Sequence, residues 1–444
     1  MSDHPKPMID GFGTRGKLWV GLLVALTAIG FIAWGYQISQ GLIVTGMDNL
    51  FSWGLYIMLF VFFVGLSAGG LILSSVPKFF HSKRYESVAA LGVLISFASI
   101  VVAGLMILPD IGRPERVYHF LTAPDFRSPM VWDFMVVMAY GTFCAAYLWL
   151  LTRRDLAAMG SRLALGVEAT DSGRDRDRKL GFWAAAIAIP LAIALHSVTG
   201  WIFALQIGRG DWFNPLVAPM FIMKALVSGL ALVLVVAILA DRFTRFRMPR
   251  DQVADLGKIL WVVISIHIIY LVAAERLPHA WAGEFEFWAI TSSFLIGDTI
   301  YFWLWTVVGG AIPLALLALP SLRKRVWVVF VASLLAIVGI LFEGIQLVFK
   351  GYDELNLGQA PGVSTGTGYE GIGSNIWMTA GAYTPTLVEL VVSIGLIALG
   401  ALIVTLGLRY LPIQSEEVRS RTDGISGGRA ATDGGTDCEG HDEQ

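Results

Sequence analysis

The chain reads as an all-α integral membrane protein of about ten transmembrane helices, arranged as two parallel-repeat four-helix bundles plus flanking helices. Composition, the spacing of apolar windows and the placement of basic residues each lead there. Of 444 residues, 56% are hydrophobic and 15% charged, against roughly 25% charged in a soluble globular chain. A bilayer core of roughly 30 Å needs about 18 apolar residues at about 1.5 Å of rise each. Ten windows meet that length: 18–37, 51–76, 87–109, 130–152, 181–205, 217–240, 257–274, 294–318, 326–349 and 388–409. The first is long enough to span and has no small-residue cleavage site, so no cleavable leader is expected.

The basic residues alternate between the two sides of these windows. One side collects 25 of the 32, from Lys6, Arg15 and Lys17 through Arg153–Lys179 and Arg242–Lys258 to Arg429. The other side has Arg113, Arg116, Arg127, Arg209, Arg276 and Lys350, and only Lys224 lies within a window. Positive residues stay cytoplasmic, so both termini are expected in the cytoplasm, with the chain in the cytoplasmic (inner) membrane. Residues 1–17 form the N-terminal segment and 18–409 the membrane domain. Residues 410–444, rich in Gly, Ser, Thr and Asp, read as a disordered tail. A net charge of −2 without a basic stripe gives no sign of nucleic-acid binding. Two cysteines, Cys144 and Cys438, are too few for an iron–sulfur cluster, which takes about four ligands. Neither a cluster nor a haem is expected in this chain.

Windows two to five (about 51–205) and six to nine (about 217–349) resemble each other. FFVGLSAGGLILSSV and FIMKALVSGLALVLVV both start outside and are dense in small residues, which let helix backbones approach closely. Window five runs from Lys179 and Trp183 to His196, and window nine from Arg325 and Trp327 to Glu343. Four helices return the chain to the same side, so the two units would be parallel.

Ionisable groups in hydrocarbon cost several kcal/mol, so each is a functional candidate. Here they crowd the outer half. Asp110, Asp133, Asp298 and Glu389 lie at outer ends of windows, where solvated ends and helix caps are equally compatible. His196, Glu343, Gln346, Lys224 and His267 lie deeper. The inner halves hold only scattered Ser, Thr and Cys144, with no charged relay to the cytoplasm. Trp53, Tyr56, Trp132, Trp201 and Trp212 fall at the outer level, where an aromatic belt is expected in any case. The 37-residue outer loop 351–387 is glycine-rich and suits a spacer or a docking surface equally.

Five segments in order resemble the NrfD/PsrC family of membrane subunits, named for nitrite and polysulfide reductase complexes. They are WGLYIMLFVFFVGLSAGG (53–70), LPDIGRPERVY (108–118), SPMVWDF (128–134), HSVTGWIFALQIGRGDWFNPLVAPMFIMKALVSGLALV (196–233) and YTPTLVEL (383–390). The resemblance is to the ten-span branch. It implies electron exchange between the quinone pool (menaquinone or ubiquinone) and a ferredoxin-like iron–sulfur subunit on the outer face. A molybdopterin catalytic subunit or multihaem cytochrome would stand behind that partner. It also implies a quinone head group held near the outer face of the first bundle, with Trp53, Tyr56, Asp110, Arg113 and His196 as the contacting candidates. Some members carry Asn and His on the span-two face where this chain has Ile57 and Phe60.

On this reading His196 accepts a quinol proton, since imidazole titrates near neutrality, while Asp110 holds its tautomer and passes the proton outward. Lys224, His267 and Glu343 are left as proton-handling candidates in the second bundle. Glu343→Gln is expected to spare the quinone reaction. Two other classes remain open. A haem b anchor could use His196 and His267, which fall at similar depth. A solute transporter would show helices broken near the midplane, whereas Pro190 is the only mid-span proline found.

Overall fold

Inside hydrocarbon every backbone amide must find an internal partner, and a helix supplies one for each within a single segment. In the computed structural model the apolar windows accordingly form helices. The described residues are 7–9, 11–48, 51–79, 85–167, 171–206, 212–282, 299–353 and 383–414. The long helices are α1 (Thr14–Gln40), α2 (Leu55–Phe79), α3 (Glu86–Asp110), α4 (Pro129–Ala158), α5 (Asp171–Ala204), α6 (Val217–Phe243) and α7 (Arg250–Ala282). Next comes α8, built from Thr299–Trp303, Leu304–Ala311 and Ile312–Ala318, followed by α9 (Val326–Asp353) and α10 (Leu387–Tyr410). Among the described residues nine helices are long and apolar enough to cross a membrane, and none of the described elements is a strand. The protein is a multi-pass membrane protein. The remaining window, 294–318, is described from Thr299 onward as α8.

Several helices outrun their apolar windows. α4 continues from the expected 152 to Ala158, α5 begins at Asp171 rather than 181, and α7 covers Arg250–Ala282 rather than 257–274. Hydropathy sees only the part in hydrocarbon, whereas Arg, Lys and Leu favour helix in water as well. Past the apolar windows, Arg153 and Arg154 of α4 both donate to Asp177 of α5 and tie the two ends together.

Packing follows the same neighbour order twice. α2 packs on α3 and α5, α3 on α4, and α4 on α5; then α6 packs on α7 and α9, α7 on α8, and α8 on α9. The units meet where α6 packs on α2 and α5. α1 and α10 form a peripheral pair laid against α3 and α2. The closest seams run through glycines. A methyl group on Gly69 of α2 would stand 2.5 Å from the Gly229 Cα of α6, and one on Gly395 of α10 2.5 Å from the Gly30 Cα of α1. Backbone cannot yield to such a contact. Gly69→Val should therefore lower the thermal midpoint of the solubilised protein by several degrees. Gly21→Val, with nothing within 4 Å, should leave it unchanged; equal midpoints would refute the account of the seam.

The proline count did not anticipate α8. Its middle, Leu304–Ala311, is π-helical, with Gly309 packed against Gly339 of α9. Pro313 follows one turn later and has no amide to return to the Gly309 carbonyl, which loosens the register there.

The connections sort to two ends. Arg245 N–H donates to the Met8 carbonyl at 2.8 Å, Arg409 to that of Ile9 at 2.8 Å, and Ser87 to Gln252 at 2.8 Å. Gln414 is buried beside them, its carbonyl oxygen accepting from Arg247 N–H at 2.9 Å. The packed chain thus reaches past the expected boundary at 409, and residues 415–444 lie outside those described. The opposite end holds Gln37, Gly46, Pro109, Tyr352 and Glu389. Asp298 and most of 351–387 lie outside the described residues.

Candidate functional site

Three buried polar groups lie toward the end that holds Gln37 and Glu389, and an aromatic cluster joins two of the packing units. The first belongs to α5, where His196 and Thr199 share a face because they are three residues apart. His196 is 1% exposed. Its Nδ1 lies 2.8 Å from the Ala192 carbonyl one turn back. A carbonyl only accepts, so Nδ1 carries the proton and Nε2 is left as an acceptor. The ring lies against the Val64 backbone of α2, and Nε2 completes no hydrogen bond. Beside it Thr199 donates to Asp133 Oδ1 of α4 at 2.6 Å. Asp133 is buried, so it is not a solvated helix end. The expected role of Asp110 changes here, because the His196 tautomer is set by its own helix backbone and the carboxylate on its face is Asp133.

The second group gathers where the C-terminal ends of α1 and α3 meet the starts of α2 and α10. Tyr56, fully buried, donates to Gln37 Oε1 at 2.6 Å, and Gln37 Nε2 donates to the Pro109 carbonyl at 2.8 Å. That second bond fixes which way the Gln37 amide points and caps the end of α3. Asp110 is next in sequence, and its Oδ1 is buried without a hydrogen-bond partner. Glu389, also fully buried, accepts from Gly46 N–H at 2.8 Å and from the Tyr383 hydroxyl at 2.5 Å. With Thr386 it forms a capping box at the start of α10. Tyr383 lies outside the spans, and burial together with Glu389 pushes its hydroxyl pKa up.

Lys224, His267 and Glu343, 119 residues apart at their extremes in sequence, meet in the second unit. Lys224 Nζ stands 3.1 Å from Glu343 Oε1, and His267 Nε2 stands 2.9 Å from Glu343 Oε2, all three side chains being buried. A carboxylate accepts, so Nε2 donates. With the imidazole neutral, one ammonium and one carboxylate sum to zero charge. One turn further along α9, Gln346 accepts from the Trp305 ring N–H at 2.5 Å.

The aromatic residues divide. Trp53 stacks on Trp212 with centroids 5.2 Å apart, and Phe203 meets both edge-on at 5.4 and 5.3 Å. Trp212 in turn meets Tyr352 of α9 at 5.1 Å. Trp132 and Trp201 are exposed, as an interfacial belt requires. Arg113 is on the surface, after Gly112 with φ +70. Asp125 and Arg127 form an exposed pair, the guanidinium holding the carboxyl below its usual range.

The sequence does not single out Gln37, Tyr352 or Tyr383 as site residues, although Tyr383 opens the YTPTLVEL segment. Gln37 was within reach, since a lone amide near the end of an apolar helix meets the same cost as an ionisable group. The two tyrosines flank an aperiodic loop, which gives no signal of where they dock.

His196 and His267, the pair a haem b anchor would use, lie on α5 and α7, which pack in different units. Among the described residues no group of three or more His, Cys, Asp or Glu is placed to hold a metal ion.

The family model described as polysulphide reductase, NrfD, matches residues 43–356. A Halobacterium salinarum protein assigned provisionally as a membrane subunit of dimethyl sulfoxide reductase is 64% identical over 94% of this chain and 97% of its own length. A subunit of the selenate reductase of Mesobacillus selenatarsenatis is 26% identical over 90% of this chain and 95% of its own. The integral membrane subunit of the Hdr-like menaquinol oxidoreductase of Archaeoglobus fulgidus is 27% identical over 92% and 96%.

Proposed function

Because the chain belongs to the NrfD polysulphide reductase family, we propose that it is the quinone-reactive membrane subunit of a respiratory reductase complex, oxidising a menaquinol-class quinol. The observation that carries this is His196: a buried imidazole with Nδ1 committed to its own helix and Nε2 without a hydrogen-bond partner. It sits about 12 Å below the end of α5, at 1.5 Å per residue, with Asp133 and Thr199 on the outward side. A quinol must give up two protons and two electrons. His196 Nε2 takes a hydroxyl proton, and the Thr199–Asp133 pair offers the next acceptor toward the outer water. Trp53 and Tyr56 border the ring site, and Asp110, with an unpartnered oxygen, receives the second hydroxyl. The electrons leave to an iron–sulfur subunit docked on the outer loops, with a molybdopterin subunit or multihaem cytochrome behind it. The relatives named for dimethyl sulfoxide and selenate reduction and for menaquinol oxidation support that direction.

A transporter would need paired breaks in corresponding helices of the two units. α8 is broken by its π-segment, but its counterpart α4 runs unbroken over Pro129–Ala158.

The test is quinol oxidation by the purified complex, read with a soluble menaquinol analogue alongside absorbance of the isolated subunit. Turnover without a stoichiometric Soret band is expected; a Soret band with no quinol turnover would overturn the proposal. Sidedness has its own test. In a variant lacking both native cysteines, Thr384→Cys should react with an impermeant maleimide from outside intact cells, and Arg242→Cys should not. The reverse pattern sinks the cytoplasmic placement of the termini and the outer docking face together.

A further inference from the structure

Helix α2, entered through Trp53 and carrying Tyr56 in its first turn, is preceded by a residue with no side chain to cap it. The residue before its first turn is Gly54, which offers no oxygen to the free amides there. Two tyrosines from distant parts of the chain hold this entry, one at the first helical amide and one two residues before it. Tyr383, just before α10, presents its hydroxyl oxygen to Leu55 N–H at 2.8 Å. Tyr352, near the end of α9, presents its own to Trp53 N–H at 2.7 Å.

Each hydroxyl is oriented by further contacts. Tyr383 donates to Glu389, which is itself held by the Gly46 and Thr386 amides at 2.8 and 2.9 Å. Tyr352 is buried between the rings of Phe51 and Trp212, at 4.8 and 5.1 Å, with Ser52 Oγ at 3.3 Å from its hydroxyl. Gly54 makes the arrangement possible. A methyl group there would stand 2.5 Å from the Tyr383 hydroxyl oxygen and 2.7 Å from its ring.

We infer that Tyr352 and Tyr383 are positioning residues for the quinone site, seating the first turn of α2 and so the Trp53 ring and the Tyr56 hydroxyl. The inference rests on the quinone reading above. On this account the site in the first bundle is completed from outside it: α9 of the second unit supplies one hydroxyl and the approach to α10 supplies the other. Neither tyrosine reaches the ring site chemically, so they act on where the quinol sits rather than on proton transfer.

Tyr352→Phe and Tyr383→Phe remove one oxygen each and keep the ring packing. Each should raise KM for the soluble quinol analogue roughly two- to thirteen-fold, the worth of one hydrogen bond of about 0.5–1.5 kcal/mol, with kcat within about two-fold. Gly54→Ala, which displaces the Tyr383 ring, should shift KM in the same direction, and exposed Tyr36→Phe should not shift it. A lower thermal midpoint with unchanged KM in both tyrosine variants would make them mere braces and overturn the inference. His196→Ala separates the two levels. If it is inactive while the tyrosine variants keep the native KM, the positioning fails and the quinone reading stands. If it too turns over normally, both fall.

Discussion

His196→Ala should lower quinol oxidation by about a hundred-fold or more, the usual worth of a positioned acid–base group, while the complex still assembles. The change removes the buried accepting nitrogen of the first unit, His196 Nε2. The neighbouring carboxylate, Asp133, is already engaged by Thr199 at 2.6 Å, and it stands a turn further out. Assembly should survive because the lost hydrogen bond runs to the helix's own Ala192 carbonyl rather than to another helix. The comparison is the double variant Lys224→Met/Glu343→Gln, which empties the second unit of its ion pair as a set. Its quinol turnover should stay within about three-fold of wild type on the same scale of acid–base effects. If His196→Ala turns over normally and the double variant is dead, the quinone site belongs in the second bundle.

The second large effect is on stability. Lys224→Ala should destabilise the protein by about 3–5 kcal/mol, because it strands the Glu343 carboxylate in a dry interior. The 3.1 Å pair and the 2.9 Å imidazole contact are almost out of reach of solvent, so water cannot take over. Glu343→Gln alone strands the ammonium instead and should also destabilise the protein. Replacing both partners removes the charge imbalance, so Lys224→Met/Glu343→Gln should recover most of the loss. Thermal melts of wild type, Lys224→Met, Glu343→Gln and the double variant in one detergent form the cycle. Single losses that simply add in the double variant would show that the cluster does not act as a unit.

How far the sequence reached depended on whether the cause was local. The spans were readable because hydrocarbon imposes length and apolarity on each helix independently of its neighbours. Their ends were not, since charged but helix-favouring residues carry α4, α5 and α7 beyond the bilayer. The rule that buried ionisable groups are costly singled out His196, Lys224, His267 and Glu343 one at a time. It could not say that the last three are one cluster, nor that Glu389 and Asp133 are buried rather than solvated.

The sequence by itself determined the helical membrane architecture, the alternation of its connections between two ends and the list of side chains able to do chemistry. Those follow from composition and period, properties of a segment alone. Only the tertiary structure decided which of these side chains meet. It paired Lys224 with Glu343 across 119 residues, turned the free nitrogen of His196 inward, and brought Tyr352 and Tyr383 to the start of α2. The reason is physical: a buried polar group takes whatever partner helix packing delivers, and packing is set by close seams such as Gly69 against Gly229, whose effect is felt at residues far away in the chain.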